Sequence, residues 1–250
     1  MSKISIIIPT LNSSSTISKC IRSVLNQTYK NFEIIILDSY SKDNTLNKIE
    51  NFKSNKIKIF SISSKKKLSD IRYFGILKSK GEFLCFLDSD DYWHKSKLEK
   101  QYNIIKKKNL IICSTNFSLM KKNKIKSFFY KKIIKFKDLL YSRPIANSSI
   151  MIKKNLIKEI SKKYRLTIYA EDYLWWLKIS EQHDIYNIQK NLTFLNISKD
   201  SRTANALFKN FYSLIYIYKK IYNFNFIKII KIFLFLFLNN FRKKLFFYFA

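Results

Sequence analysis

Three aspartates, Asp88, Asp90 and Asp91, fall within four residues of the stretch Lys80 to Trp93, KGEFLCFLDSDDYW. Like charges packed this closely repel unless a cation or hydrogen-bond donors neutralise them. Hard divalent cations choose carboxylate oxygens, so the chemistry that suits the cluster is holding a metal together with a phosphorylated ligand. A solvated acidic turn is the plainer alternative. What favours a site is the apolar run in front, Phe83 to Leu87, which reads as a strand buried on both faces. In open α/β sheets ligands bind just beyond the carboxyl ends of the strands, and the aspartates, followed by Tyr92 and Trp93, would lie there.

Other strands must position partners for this cluster. Ile4 to Ile8 is a β-branched run closed by Pro9 and Thr10, and Phe32 to Leu37 ends at Asp38. Ile57 to Ile62 makes a third strand. Between them, Ile17, Cys20, Ile21, Val24 and Leu25 repeat at helical spacing, Asp43 or Asn44 is placed to cap a helix through Leu46 and Ile49, and Asp70 to Lys78 reads as a helix. The order βαβαβαβ predicts a doubly wound, mostly parallel α/β sheet flanked by helices. With neither G-x-G-x-x-G nor G-x-x-x-x-G-K-S/T in the chain, phosphates would be held by metal and side chains. Later, Leu110 to Thr115 reads as a strand, and Arg143 to Lys153 runs from a turn into another. Ala170 to Ser180, AEDYLWWLKIS, reads as a helix opening with Glu171 and Asp172. Dipole compensation alone accounts for acids there. Of Trp175 and Trp176, one is expected in the core and the other free to stack on a sugar. His94 and His183 lack metal-ligand spacing and read as surface or packing residues. The two glycines, Gly75 and Gly81, both precede the aspartate-bearing strand, which suggests backbone conformations that other residues tolerate poorly.

The chain has 250 residues, 47% of them hydrophobic, enough for one large core. Its net charge of +31 ordinarily points to nucleic acid or anionic membrane. Yet the lysines are scattered, and the abundance of Lys, Asn, Ile, Phe and Tyr is what A/T-rich codons specify, so no nucleic-acid partner is expected. Cys20, Cys85 and Cys113 show no Cys-x-x-Cys spacing, which fits reduced thiols in the cytosol. The apolar run near the N-terminus is too short for a signal peptide. From Leu207 onward the chain is basic and aromatic. Phe208, Phe211, Tyr212, Ile215 and Tyr222 share a helical face with Lys209, Lys219 and Lys220 off it. Such faces favour the interface of an anionic membrane, the alternative being a core-packing or dimerising helix. The longest apolar stretch, Phe226 to Leu238, is interrupted by Lys228 and Lys231 and is too short to span a bilayer.

ISIIIPTLN, SVLNQTYKNFEIIILDS with SKDNT, KSKGEFLCFLDSDDYW and YAEDYLWWLKI, in this order, resemble the motifs of family 2 glycosyltransferases with the GT-A fold. The resemblance covers residues 1 to about 200 and implies an inverting, metal-dependent transferase in cell-surface polysaccharide or lipopolysaccharide synthesis. It places Pro9, Thr10 and Asp38 around the nucleotide, with Asp38 accepting a hydrogen bond from the base. Arg72 lies near the nucleotide, a surface arginine being the alternative, and Asp88 lies on the ribose. Asp90, with Asp91 able to share the task, would hold Mn²⁺ or Mg²⁺, and Asp172 would be the general base. Departures are Ser39 and Tyr40 after Asp38, and Tyr73 after Arg72. A nucleotide-sugar donor, a glycan or lipid-linked acceptor and peripheral contact with the cytoplasmic face of an anionic membrane follow as expectations. Residues 1–203 would form the catalytic domain, 1–100 binding donor and 101–203 acceptor, with 204–250 an amphipathic helical extension. A sugar nucleotidyltransferase and a non-catalytic basic binder are the competing classes.

Overall fold

The first strand shows how the chain sorts its side chains. Along β1 (Ile4–Thr10), Ile4, Ile6 and Ile8 enter one apolar cluster while Ile7 enters another, the period-two alternation of a strand buried on both faces. β2 (Phe32–Asp38) and β4 (Phe83–Phe86) repeat it, with Ile34, Ile36, Phe83 and Cys85 on the first side and Ile35, Leu37, Leu84 and Phe86 on the second. The computed structural model describes residues 3–63, 65–121, 124–165, 170–197 and 207–248, with side chains described throughout except at 207–210 and 239–248.

The remaining elements are α1 (Ile17–Leu25), α2 (Thr45–Glu50), β3 (Ile57–Ser61), α3 (Leu68–Lys78), β5 (Tyr92–Trp93), α4 (Lys97–Lys108), β6 (Ile112–Lys121), β7 (Lys124–Phe128), β8 (Ile133–Ile134), α5 (Phe136–Ser142), a 3₁₀ turn (Asn147–Ser149), β9 (Met151–Lys153), α6 (Lys154–Lys163), α7 (Glu171–Ser180), β10 (Ile185–Asn196), α8 (Leu207–Tyr216), a π-turn (Ile217–Ile221) and α9 (Phe226–Tyr248). The sheet order is β3-β2-β1-β4-β9-β6-β10-β5, with β7 on β6 and β8 on β10. β3, β2, β1 and β4 are mutually parallel, and β6 and β10 are parallel to each other. The three-residue β9 runs antiparallel to both β4 and β6, so these two point the same way across it. Helices cover both faces, as the βα alternation predicts. The basic aromatic stretch Ser127 to Phe136, which carries no clear periodicity, supplies the end of β7 and all of β8.

The C-terminal helices pack onto this domain. Leu214, Ile217, Tyr218, Ile229, Ile232 and Leu236 join the same apolar cluster as α3, α5, α6 and α7. The expected boundary at 203/204 lies outside the described residues. No helix among the described residues is long and apolar enough to cross a membrane.

Two expectations need correction. Neither glycine has positive φ; what both positions lack is room. A Cβ on Gly75 would lie 2.7 Å from Ile7 Cγ2 and 2.8 Å from Leu37 Cδ1, and one on Gly81 would lie 2.6 Å from the Ser5 backbone nitrogen. Gly81 also donates its N–H to Ser5 Oγ (2.8 Å), which donates in turn to the buried Glu33 (2.7 Å). Burial pushes the Glu33 carboxyl up, but hydrogen bonds from Lys58, Ser5 and the Lys80 N–H, with Lys3 nearby, hold it at about 2. Overpacking a tight core site costs about 1–3 kcal/mol, so Gly81→Ala is expected to lower the melting temperature by several degrees, read by thermal unfolding. Secondly, both Trp175 and Trp176 are fully buried, tilted against Phe86 at 6.0 and 6.2 Å between ring centroids. α7 is covered on nearly every side, so neither indole is available to stack on a sugar.

Candidate active site

Parallel pairing brings the predicted residues to one edge of the sheet. Thr10 is in register with Asp38, and the Leu87 N–H donates to Ile7 O (3.0 Å), setting Asp88 just past the end of β4 beside them. Pro9 is half-buried; Thr10 is buried, and its hydroxyl has no partner among the described residues. Asp38 is fully buried under the turn that follows it. Ser41 donates its N–H to Oδ2 (3.0 Å) and its hydroxyl to Oδ1 (2.5 Å). Ser41 thus fixes the carboxylate through one bond to each oxygen, and each oxygen keeps capacity to accept another. Tyr40, at the crest of this turn, has φ 58° and is 61% exposed.

The acidic cluster splits by environment. Asp91 is turned into the protein: its Oδ2 accepts from Ser148 Oγ (2.6 Å) and its Oδ1 from the Asn196 N–H (3.1 Å). Burial, with the charges of Asp88 and Asp90 adding to it, pushes its carboxyl well above the usual range. Ser148 Oγ also accepts the Asp88 N–H (3.2 Å), so one hydroxyl fastens both ends of the loop. The 3₁₀ turn carrying Ser148 is clamped from below, where Trp93 Nε1 donates to Ser148 O (2.8 Å) and Gln101 Nε2 to Ser149 O (2.9 Å). Lys97 is fully buried there, its Nζ 3.9 Å from the Trp93 ring centroid and donating to Gln101 Oε1 (2.7 Å). Asp88 and Asp90 stay half-buried.

Arg72 is 3% exposed, which excludes a surface arginine. From α3 it donates to Asp88 Oδ1 (2.7 Å) and to Glu171 Oε1 (2.5 Å), joining the end of β4 to the first residue of α7. Desolvation disfavours its charge, but Asp88, Glu171 and Asp172 outweigh that and raise its pKa. Burial pushes the Glu171 carboxyl above its ordinary range, against the pull of Arg72. α7 is entered through Ala170 at φ 62°, and Asp172, half-buried, accepts the N–H of Tyr173 (2.8 Å). The carboxylates of one strand end and one helix N-terminus therefore share one buried guanidinium.

The sequence model of Glycosyl transferase family 2 matches residues 5–161, more than half of the chain. The chain belongs to this family. That sets aside the nucleotidyltransferase and the non-catalytic binder: it is a glycosyltransferase. The chain is 33% identical over 183 residues to UDP-Glc:alpha-D-GlcNAc-diphosphoundecaprenol beta-1,3-glucosyltransferase WfgD of Escherichia coli, covering 73% of this chain and 71% of that one. It is 30% identical over 239 residues to poly(ribitol-phosphate) beta-N-acetylglucosaminyltransferase TarP of Staphylococcus aureus, covering 89% and 73%. Among solved structures, S. aureus TarS 1–349 in complex with UDP-GlcNAc superposes with a TM-score of 0.66 at 21% identity, covering 78% of this chain and 59% of that one. This family 2 enzyme thus has the expected GT-A fold.

Whether its residues suit a metal can be judged from the donor set. No three His, Cys, Asp or Glu side chains among the described residues form a ready-made metal cage. A cation shared with a diphosphate needs only one or two protein carboxylates, the ligand and water supplying the rest. Asp90, between a tethered Asp88 and an inward Asp91, fits that demand. Sequence reasoning missed Ser148 and the Glu171–Arg72 pair. The run Ser148-Ser149 after a predicted turn was the available signal for the first; for the second there was none, because capping explains Glu171 equally well.

Proposed function

We propose that the enzyme transfers a sugar from a uridine diphosphate sugar to a glycan or lipid-linked acceptor in cell-surface polysaccharide synthesis, by single displacement with inversion. UDP is chosen because the names of the relatives specify UDP-Glc or UDP-GlcNAc. The observation that carries the reading is Arg72, whose one guanidinium holds both Asp88 and Glu171, the neighbour of Asp172. A donor laid along the ends of β1, β2 and β4 would meet Pro9, Thr10 and Asp38 at its nucleoside and Asp88 at its ribose. Asp90 would hold Mn²⁺ or Mg²⁺ against the diphosphate, Asp91 serving from behind to shape the loop. Such a metal would supply neutralisation of the charge on the departing diphosphate. Asp172, next to the Glu171 that shares Arg72 with Asp88, would take the proton of the attacking hydroxyl. Inversion follows if base and leaving group flank the anomeric carbon. With a lipid-linked acceptor the enzyme would work peripherally at a membrane, in this reading at its cytoplasmic face.

Thermal shift with Mn²⁺ and each nucleoside diphosphate tests the donor site. UDP should raise the melting temperature, and Asp90→Ala should abolish the Mn²⁺-dependent part of that rise and of donor hydrolysis. An unchanged Asp90→Ala protein would remove the metal assignment.

A further inference from the structure

The C-terminal helices have two apolar faces, and the fold uses only one. Ile229, Ile232 and Leu236 of α9 are buried in the core. Phe226, Ile227, Ile230, Leu234 and Leu238 are not: they are 76%, 65%, 49%, 56% and 51% exposed. At 3.6 residues per turn these five fall in one arc about 120° wide. On α8, Tyr212 is 71% exposed. Single exposed apolar residues are ordinary, whereas a contiguous set marks a surface that meets something.

Charge identifies the occupant. Residues 207–250 contain eight Lys and Arg and no Asp or Glu. Lys219, Lys220, Lys228 and Lys231 are all exposed. A two-fold pairing of this face would set a patch with no acids against its own copy, whereas an anionic headgroup layer neutralises it. Lys228 and Lys231 also interrupt α9 too early for a bilayer span, which leaves the helix lying in the interface plane.

We infer that this arc of α9 is a docking surface for an anionic lipid bilayer, with the apolar side chains at the headgroup–acyl boundary and the lysines among the phosphates. The π-turn that leads into α9, with Tyr218 packed on Phe233 of that helix, is fastened to the candidate catalytic helix. The hydroxyls of Tyr218 and Tyr173 lie 2.8 Å apart, and Tyr173 directly follows Asp172 and donates to Leu139 O of α5 (3.2 Å). Docking would therefore hold Asp172 at a fixed height above the membrane that presents the acceptor. This last consequence rests on the transferase reading; the docking does not.

Flotation of the full chain with phosphatidylglycerol vesicles and with phosphatidylcholine vesicles tests it, beside UDP-sugar hydrolysis in detergent-free buffer. The wild type should float with the anionic vesicles, less so in high salt, and poorly with the zwitterionic ones. Ile230→Glu/Leu234→Glu should weaken flotation on the order of 100-fold, the effect of exposing two apolar side chains, with melting temperature and hydrolysis unchanged. Equal binding to both vesicle types, undiminished flotation of the variant, or a lipid-free dimer that the variant abolishes would each overturn the proposal. Loss of hydrolysis in the wild type would overturn the transferase reading alone.

Discussion

Arg72→Met should be the most destabilising single change at this site, costing about 3–5 kcal/mol, the range for removing one partner of a buried ion pair. Arg72 and Glu171 have side chains only 4% and 3% exposed, so without the guanidinium Glu171 would be an uncompensated charge in the core. Asp88, 41% exposed, would be repaid by water and adds little to the cost. Thermal unfolding should show a fall of about 10 °C, since ~1 kcal/mol shifts a domain of this size by a few degrees. The pH dependence has a defined sign. Burial raises the folded pKa of Glu171 above its ordinary value of 4.5, and losing Arg72 raises it further. A raised acid binds more protons folded than unfolded, so both proteins lose stability as pH rises above 4.5, and the variant goes on losing it above about 7, where the wild-type Glu171 is already ionised. Melts at about pH 5 and about pH 8 should therefore differ more for the variant than for the wild type. Arg72→Met/Glu171→Leu should recover much of the stability, because replacing both partners with apolar groups removes the desolvation cost with the attraction. A single variant as stable as the wild type would show that the pair does not hold the site.

What was legible in the sequence follows from the range of each interaction. The apolar runs Ile4 to Ile8, Phe32 to Leu37 and Phe83 to Leu87 declare buried parallel strands by local composition, and parallel pairing then places Thr10, Asp38 and Asp88 at one edge without further information. Long-range partnerships leave no such local trace. Arg72 meets Glu171 across 99 residues, and Ser148 meets Asp91 across 57, both through contacts that exist only once α3, α7 and the 3₁₀ turn have docked. Lys97 reads as one more surface lysine in a chain rich in them, yet it is wholly buried against Trp93 and Gln101. The two glycines stand out in the sequence, but what requires them is not local: φ is a local property, and the backbone of Ser5 pressing on Gly81 is not.

Asp172→Asn should reduce sugar transfer by about 10²–10⁴, the usual worth of a positioned general base, while leaving UDP affinity and the melting temperature nearly unchanged. Asparagine keeps the oxygen that accepts the Tyr173 N–H and surrenders only a half-buried charge at a helix N-terminus, a loss of about 0.3–1 kcal/mol. Glu171 supplies the contrast within the same turn. It is buried and bound to Arg72, so Glu171→Gln should lower stability and disturb Asp88. The two adjacent carboxylates are thus separated by readout: one change should act on kcat with the fold intact, the other on the fold first. If Asp172→Asn transfers sugar at the wild-type rate while a folded Glu171→Gln protein does not, the base is Glu171. The arginine would then be holding the reactive group and not its neighbour.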